Sequence, residues 1–480
     1  MADTTLAAIW DSKVVRRLDW LGGVVVIALF CRLALDEDLA WVGWLALGIA
    51  VVFLTQARWP YGTILVLVGM SAMPRFFLEV FGWKARPEHF AAIIVSVAVA
   101  LWLHFHQRPV RLGKLDYWIL AYVAINYVSS IVGSPQPSST LKWALQNNLA
   151  VLPYFLIRLT VQDLETLRKA FRILLGVGVA ESVYGILCYA SHHALGTTTG
   201  MEIGAYLVNV AAPFGSLYEP NLFGAYTACC AVLFLALYLA ERQQRLSYLI
   251  GFLVASLAAV LSFSRVALFA LVLVVGWLFW RTRQLWKHGG ERRKSGIFVL
   301  GFALIIFTFV SAGAVLRERF SDLYYLGLTE QTTISRFIVI LQALQEIPKH
   351  PLLGSGTASF NLSFDWANYI PEWSSDKTWI ANAPLRILHD CGALGLTALL
   401  GFLVSVSRKI RRAWGGRDSP VAMLLALVAG ALLYGVSFQA TDGTILAFCW
   451  VHLGFLATAA TLLPQWQHLN GTGSVIEKPV

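Results

Sequence analysis

The chain has 480 residues, of which 58% are hydrophobic and only 13% charged, with a net charge of +10 and a mean hydropathy of +0.65. A soluble domain carries roughly a quarter charged residues, so this composition excludes an ordinary soluble enzyme. The positives fall in short segments between apolar runs rather than on one basic face, which excludes a nucleic-acid binder as well.

The first twenty residues are polar and carry Lys13, Arg16 and Arg17, and read as a cytoplasmic leader. Apolar runs then recur along the chain at lengths near the ~20 residues of helix that cross a bilayer. Spans are expected at 20–35, 39–55, 61–81, 90–106, 115–134, 147–160, 170–191, 221–240, 246–264, 266–280, 296–315, 382–406, 420–438 and 444–463. The fold class is therefore all-α: a polytopic transmembrane helical bundle of about fourteen (12–14) spans. The first two and the sixth are short enough to be tilted or re-entrant. Alternation from a cytoplasmic start places most of the 37 Lys and Arg inside, with both termini cytoplasmic. No fixed-period repeat and no alternating barrel pattern occurs. The six cysteines make no CxxC pair, so no disulfide framework or metal site is expected.

The longest connection, 316–381, lies outside between the eleventh and twelfth spans. It holds the helical stretch ISRFIVILQALQEI, the glycine-rich turn HPLLGSGTASF, and aromatics at Phe364, Trp366, Tyr369, Trp373 and Trp379. Loops this long are usually lids or binding elements, and aromatics there suit a headgroup interface or sugar rings.

Ionisable residues at membrane depth are functional candidates because each costs several kcal/mol in lipid. Glu219 opens the eighth span in SLYEPN (216–221), beside Asn221, as a carboxylate facing an outer cavity or a simple helix cap. Arg265 follows Ser262-Phe263-Ser264 with almost no loop around it. Arg336 follows Ser335 in the long loop, after Arg317 and Arg319; a guanidinium fork matches phosphate oxygens. At the twelfth span, Asn382, Arg386 and His389 share one helical face, with Asp390 next to His389. Glu181 with Tyr184, and Arg75 with Glu79, read as structural pairs. There is no Walker A loop, HExxH or GxSxG.

Four segments in order, SLYEPNLFGAY (216–226), LSFSR (261–265), SRFIVILQAL with HPLLGSGTASF (335–344, 350–360) and LRILHDCGALGL (385–396), resemble the family of O-antigen ligases and O-antigen or exopolysaccharide polymerases. The resemblance spans about 205–460. It divides the chain into N-terminal helices (1–204), a ligase/polymerase-like region (205–463) and a cytoplasmic tail (464–480). It implies a glycosyltransferase in surface polysaccharide biosynthesis at the bacterial inner membrane. Such an enzyme moves a glycan from an undecaprenyl-pyrophosphate donor to a glycan or lipid acceptor on the periplasmic or outer face, with inversion and without metal or other cofactor. Arg265 and Arg336 would hold the pyrophosphate, aided by Arg317 and Arg319. Ligases place a His before Asn ahead of the GxxG helix; here Ala381 stands at that position and Asn382 is kept. His389, Asp390 or Glu219 would then act on the acceptor, with Asn221, Asn382 and Arg386 binding substrate. That departure favours a polymerase-like member. The rival expectation is a secondary transporter or lipid-linked glycan flippase, which would show related halves with helices broken at matching places.

Overall fold

The computed structural model describes residues 59–80, 83–107, 109–110, 112–203, 211–241, 246–286, 331–366, 369, 378–413 and 419–472. The expected spans 20–35, 39–55 and 296–315, together with Arg317, Arg319, Trp373 and the 464–480 tail beyond Thr472, lie outside them.

The described chain is a helical bundle. Helix α1 spans Tyr61–Ser71, followed by a hairpin of β1 (Leu78–Val80) and β2 (Trp83–Ala85), paired antiparallel with Glu79 opposite Lys84. The expected span 61–81 is thus corrected: an 11-residue helix ends at Ser71 and the remainder turns back as strands. Pro74 and the charges Arg75 and Glu79 follow the last apolar turn, and proline cannot continue a helix.

Then come α2 (Pro87–Phe105), α3 (Lys114–Val132), α4 (Pro137–Thr160) and α5 (Leu164–Leu195). The sixth expected span, 147–160, is not a short re-entrant piece. Helix α4 starts at Pro137, a residue suited to the first turn, and runs 24 residues. Its first ten residues carry Ser138, Ser139, Lys142 and Gln146, which hid this N-terminal part from a search for apolar runs. A two-residue bridge, β3 (Met201–Glu202) with β4 (Ala212–Pro213), precedes α6 (Pro220–Ala240), α7 (Leu246–Leu261) and α8 (Arg265–Trp286). Past the undescribed stretch lie α9 (Gln331–Glu346), a 3-10 turn at Ile347–Lys349, α10 (Ser359–Ser363), α11 (Ala383–Ala413), α12 (Ser419–Ser437) and α13 (Ala447–Thr472).

Among the described residues seven helices are long and apolar enough to cross a membrane: α2, α3, α5, α6, α8 up to Thr282, α11, and α13 up to Pro464. Helices α1, α7 and most of α12 are apolar but shorter. This is an integral membrane protein.

Helix α6 is the axis of the bundle. Its apolar window is wholly buried, whereas the windows of α2, α3 and α5 are 39% buried and leave the rest of their apolar surface for lipid. Its sequence, FGAYTACCAV, is rich in small side chains, which let helix backbones approach where no hydrophobic effect separates protein from lipid. It packs on α7, α8, α12 and α5.

The connections sort into two ends. The α1–α2, α3–α4, α5–α6, α7–α8 and α12–α13 turns and the start of α11 share one end, joined by contacts such as Arg75 N–H to Ser216 carbonyl at 3.3 Å and Ala383 N–H to Phe438 carbonyl at 2.9 Å. At the opposite end, Asp116 at the start of α3 meets Arg158 at the end of α4, and Arg158 also reaches Thr461 on α13. The basic end of α11, Arg408 to Arg412, lies there too, where alternation expects the inside.

Candidate active site

The site is built around a break in α11. Asn382 Oδ1 accepts from Leu385 N–H at 2.9 Å and caps the helix. Two turns further on, the helix is interrupted at Gly392, with φ 63° and ψ −168°. Backbone groups freed by such a break must be satisfied inside the protein at membrane depth. The turn HPLLGSGTASF does so. The carbonyls of His389 and Asp390 accept from Ser355 N–H (2.8 Å) and Gly356 N–H (3.0 Å), while the amides of Ala393 and Leu394 donate to the carbonyls of Pro351 (2.8 Å) and Leu352 (3.1 Å). A Cβ on Gly392 would lie 2.2 Å from the Leu352 oxygen, and one on Gly354 2.5 Å from the Asp390 carbonyl carbon, so both positions require glycine. Helix α3 closes the other side. Ser129 Oγ accepts from Gly356 N–H at 3.0 Å and donates to the Asp390 carbonyl, and Ser130 Oγ accepts from Thr357 N–H at 3.1 Å.

Above the break sit Arg386, His389 and Asp390, all buried. Arg386 is held between two carboxylates. Its Nη1 donates to Asp390 Oδ2 at 3.2 Å, its Nε to Asp442 Oδ2, and its Nη2 to Thr444 Oγ1 at 2.7 Å. Asp390 Oδ2 also accepts from Ala358 N–H at 3.0 Å. His389 Nδ1 faces Asp390 Oδ1 and its Nε2 faces Glu346 Oε2, both at 3.0 Å, and the ring meets the Phe360 ring edge-on. Glu346 ends α9, whose Val339 and Ala343 pack against Phe360, Trp366 and Ile380. The hydrogen bond with His389 holds the Glu346 carboxyl below the usual glutamate range. Asn382 and Arg386 do share a face, both reaching the α12–α13 turn, since Asn382 Nδ2 donates to the Gln439 carbonyl at 2.9 Å. His389 points instead toward α9.

Glu219 stands at the N-cap of α6, partly exposed, and its Oε1 accepts from Thr441 Oγ1 at 2.9 Å. The charge of Arg336 on α9 acts on it electrostatically. Asn221 lies in the first turn of α6, partly exposed. Arg265 opens α8 at the same end, after Phe263 with its positive φ of 51°. Gly224 of α6 lies against Ser262 and Ser264, which places the start of α8 one turn below Glu219. The structure thus gathers Glu219, Asn221, Arg265, Arg336, Asn382, Arg386, His389 and Asp390 at one end.

The two structural pairs resolve differently. Glu181 accepts from Ser216 N–H (2.8 Å) and Oγ (2.6 Å), fixing the segment ahead of Glu219. Arg75 lies over the Phe214 ring at 3.7 Å, and the side chain of Glu79 is outside the described set.

Sequence reasoning missed Glu346, Thr441, Asp442 and Thr444. Asp442 left one signal: a lone acid between two long apolar runs. Glu346 left none, because a charged residue closing an amphipathic helix is ordinary. His389, Asp390, Glu346 and Asp442 are all cation-ligating residue types, yet no group of three or more such residues is arranged around a metal position among the described residues. Arg386 takes the place between Asp390 and Asp442.

Residues 250–400 match the family model described as O-Antigen ligase. The matched stretch runs from α7 into α11 and contains Arg265, Arg336, the glycine-rich turn and His389-Asp390, while Glu219 and Asp442 fall outside it. No curated protein matches the chain. The resemblance read from the sequence is borne out over that stretch, and it supports a polysaccharide ligase or polymerase role with glycosyl-transfer chemistry.

Proposed function

We propose, from the O-Antigen ligase match as premise, that the chain transfers a glycan from an undecaprenyl-pyrophosphate donor to a hydroxyl of a glycan or lipid acceptor. Transfer takes place at the membrane end where Glu219, Arg265 and Arg336 meet, on the outer face of a bacterial inner membrane. The observation that carries this reading is a partly exposed carboxylate, Glu219, hydrogen-bonded to Thr441 and within electrostatic reach of Arg336, at the same end as Arg265.

The glycosyl–diphosphate bond is already activated. The acceptor oxygen attacks the anomeric carbon from the face opposite the diphosphate, and the carbon–oxygen bond breaks with its electron pair going to the leaving diphosphate. Arg265 and Arg336 neutralise that charge; oriented donors at a departing anion are worth about 10²–10³-fold in rate each. The acceptor proton goes to Glu219 as general base. Of the other two candidate bases, Asp390 has both oxygens engaged by His389, Arg386 and Ala358 N–H. His389 is 1% exposed with a carboxylate at each nitrogen, and a ring donating from both has no site left for a proton. Asp390 and His389 therefore position the turn and α9 rather than touch substrate, and Arg386 fixes the α12–α13 turn that carries Thr441. Asn221, in the first turn of α6, faces the acceptor. Inversion and independence from metal follow from a single displacement with cationic side chains at the diphosphate.

The test is transfer by purified protein supplied with its polyprenyl-pyrophosphate glycan in the presence of EDTA, comparing wild type with Arg265→Ala, Arg336→Ala, Glu219→Gln and His389→Ala. Product from wild type, lost in both arginine variants and in Glu219→Gln while the proteins stay folded, is expected. Loss with EDTA, or full activity without either arginine, would refute the reading. Absence of wild-type transfer with flux of the same lipid across vesicles would put a flippase in its place.

A further inference from the structure

Outside the family-matched stretch, a buried charge cluster opens α2. Arg86 is 7% exposed, Glu88 and His89 are 1% exposed each, and none of the three takes part in the proposed chemistry. Burying an arginine and a glutamate is costly unless each is paired and hydrogen-bonded. Arg86 Nη2 lies 2.8 Å from Glu88 Oε1, and the guanidinium meets His89 Nε2 at 3.0–3.2 Å. The Arg86 backbone N–H also donates to His89 Nδ1 at 3.3 Å, so both ring nitrogens of His89 are turned to Arg86.

What these residues hold is the turn between α12 and α13. Arg86 Nη2 donates to the Ile445 carbonyl at 3.0 Å, and Glu88 Oε2 accepts from Ala447 N–H at 3.4 Å. The same turn carries the site's partners on its preceding residues: Thr441 donates to Glu219, Asp442 binds Arg386, and Thr444 accepts from Arg386. Asp442 Oδ1 accepts from Thr444 N–H at 2.9 Å, and Trp450 Nε1 donates to the Thr444 carbonyl at 2.7 Å, so the turn is tied internally and to α13. The Arg86 guanidinium also lies 6.0 Å over the ring of Tyr218, the residue before Glu219. The cluster therefore reaches Glu219 from both sides, through its chain neighbour and through its hydrogen-bond donor.

We propose that Arg86, supported by Glu88 and His89, is a positioning residue for glycosyl transfer: it clamps residues 441–447 so that Thr441 aims Glu219 at the acceptor hydroxyl. This rests on Glu219 being the base. Arg86 touches no substrate, so it acts on the rate of the step and not on donor affinity.

Two measurements test it. Amide hydrogen exchange on Arg86→Ala should speed up in the peptide covering 439–447 relative to wild type, with α6 and α11 unchanged. In the transfer assay Arg86→Ala should lower kcat about tenfold, within the range for side chains coupled in one network, with the donor KM unchanged. In a Glu219→Gln background the same substitution should change kcat less than about twofold, because coupled residues are not additive. Glu88→Gln keeps shape and serves if Arg86→Ala does not fold, with the same pattern at smaller size. Unchanged exchange in 439–447, or an equal kcat loss with and without Glu219, would overturn the proposal. A wild type without transfer refutes the functional reading instead, and the exchange result then still decides whether the cluster clamps the turn.

Discussion

Both ends of the bundle pair an arginine with a buried aspartate, and they differ in what stands around the pair. At the basic end Arg158 binds Asp116 through two nitrogens, Nε to Oδ1 at 3.0 Å and Nη2 to Oδ2 at 3.2 Å. Tyr154 hydroxyl and Gly113 N–H add further donors to Asp116 at 2.9 and 2.7 Å. One cation meets one carboxylate, both carboxylate oxygens are doubly engaged, and helices α3, α4 and α13 are tied together. At the other end Arg386 is shared by Asp390 and Asp442, and around this network stand Glu219, Arg265 and Arg336, which are partly exposed. A buried ion pair alone is weak evidence for function. A second group of partly exposed charges beside such a pair, at a broken helix, is better evidence, because each ionisable side chain near the membrane costs several kcal/mol.

Removing one cation from each end should sharpen that contrast most. Arg386→Ala leaves Asp390 and Asp442 without their shared cation and should cost about 3–5 kcal/mol of stability, read as a lower thermal midpoint in detergent, with transfer lost. Arg158→Ala should lower the midpoint too, but the folded fraction should transfer glycan at the wild-type rate. Equal activity loss at both ends would break the comparison.

Next in size, Glu219→Gln should lower kcat by at least about 100-fold with little change in the thermal midpoint. A midpoint shift as large as that of Arg386→Ala would make Glu219 a structural residue. Gly392→Ala should then cost about 1–3 kcal/mol, because alanine is strained at that positive φ and its methyl meets the Leu352 carbonyl. Proteolysis within 350–358 should rise in that variant. The smallest effect is expected at Glu346. Glu346→Gln should loosen α9 by about 1 kcal/mol, seen as faster exchange in 338–346. Since its folded carboxyl is held low, the contribution of the carboxylate is complete above the ordinary glutamate value near pH ~4.3 and is lost as pH falls through the lowered value. Exchange in α9 that does not respond to acid would contradict this.

Much of the fold was legible because hydropathy is a local property. The ranges of α2, α3, α5 to α8 and α11 to α13 follow from runs of apolar residues, and Pro220 and Asn382 mark helix starts by chemistry that needs no tertiary partner. Arg386, His389 and Asp390 were legible for the same reason: charge in an apolar run stands out. The start of α4 was not, because Ser138, Ser139, Lys142 and Gln146 break the hydropathy signal ahead of the apolar run, and what its Asn148 packs against was not legible either. Asn148 Nδ2 donates to the Val123 carbonyl at 3.4 Å, a partner no window along the chain can contain.

The sequence by itself therefore determined that the chain is membrane-embedded, where most helices run, and which charged residues fall in or beside apolar runs, since each depends only on side chains near one another along the chain. Only the tertiary structure decided the company those residues keep. That Thr441 from the α12–α13 turn reaches Glu219, that Glu346 closes on His389, and that Arg86 holds the same turn from the other half of the chain are contacts between segments tens to hundreds of residues apart. Their strength comes from desolvation and geometry that exist only once the helices have packed.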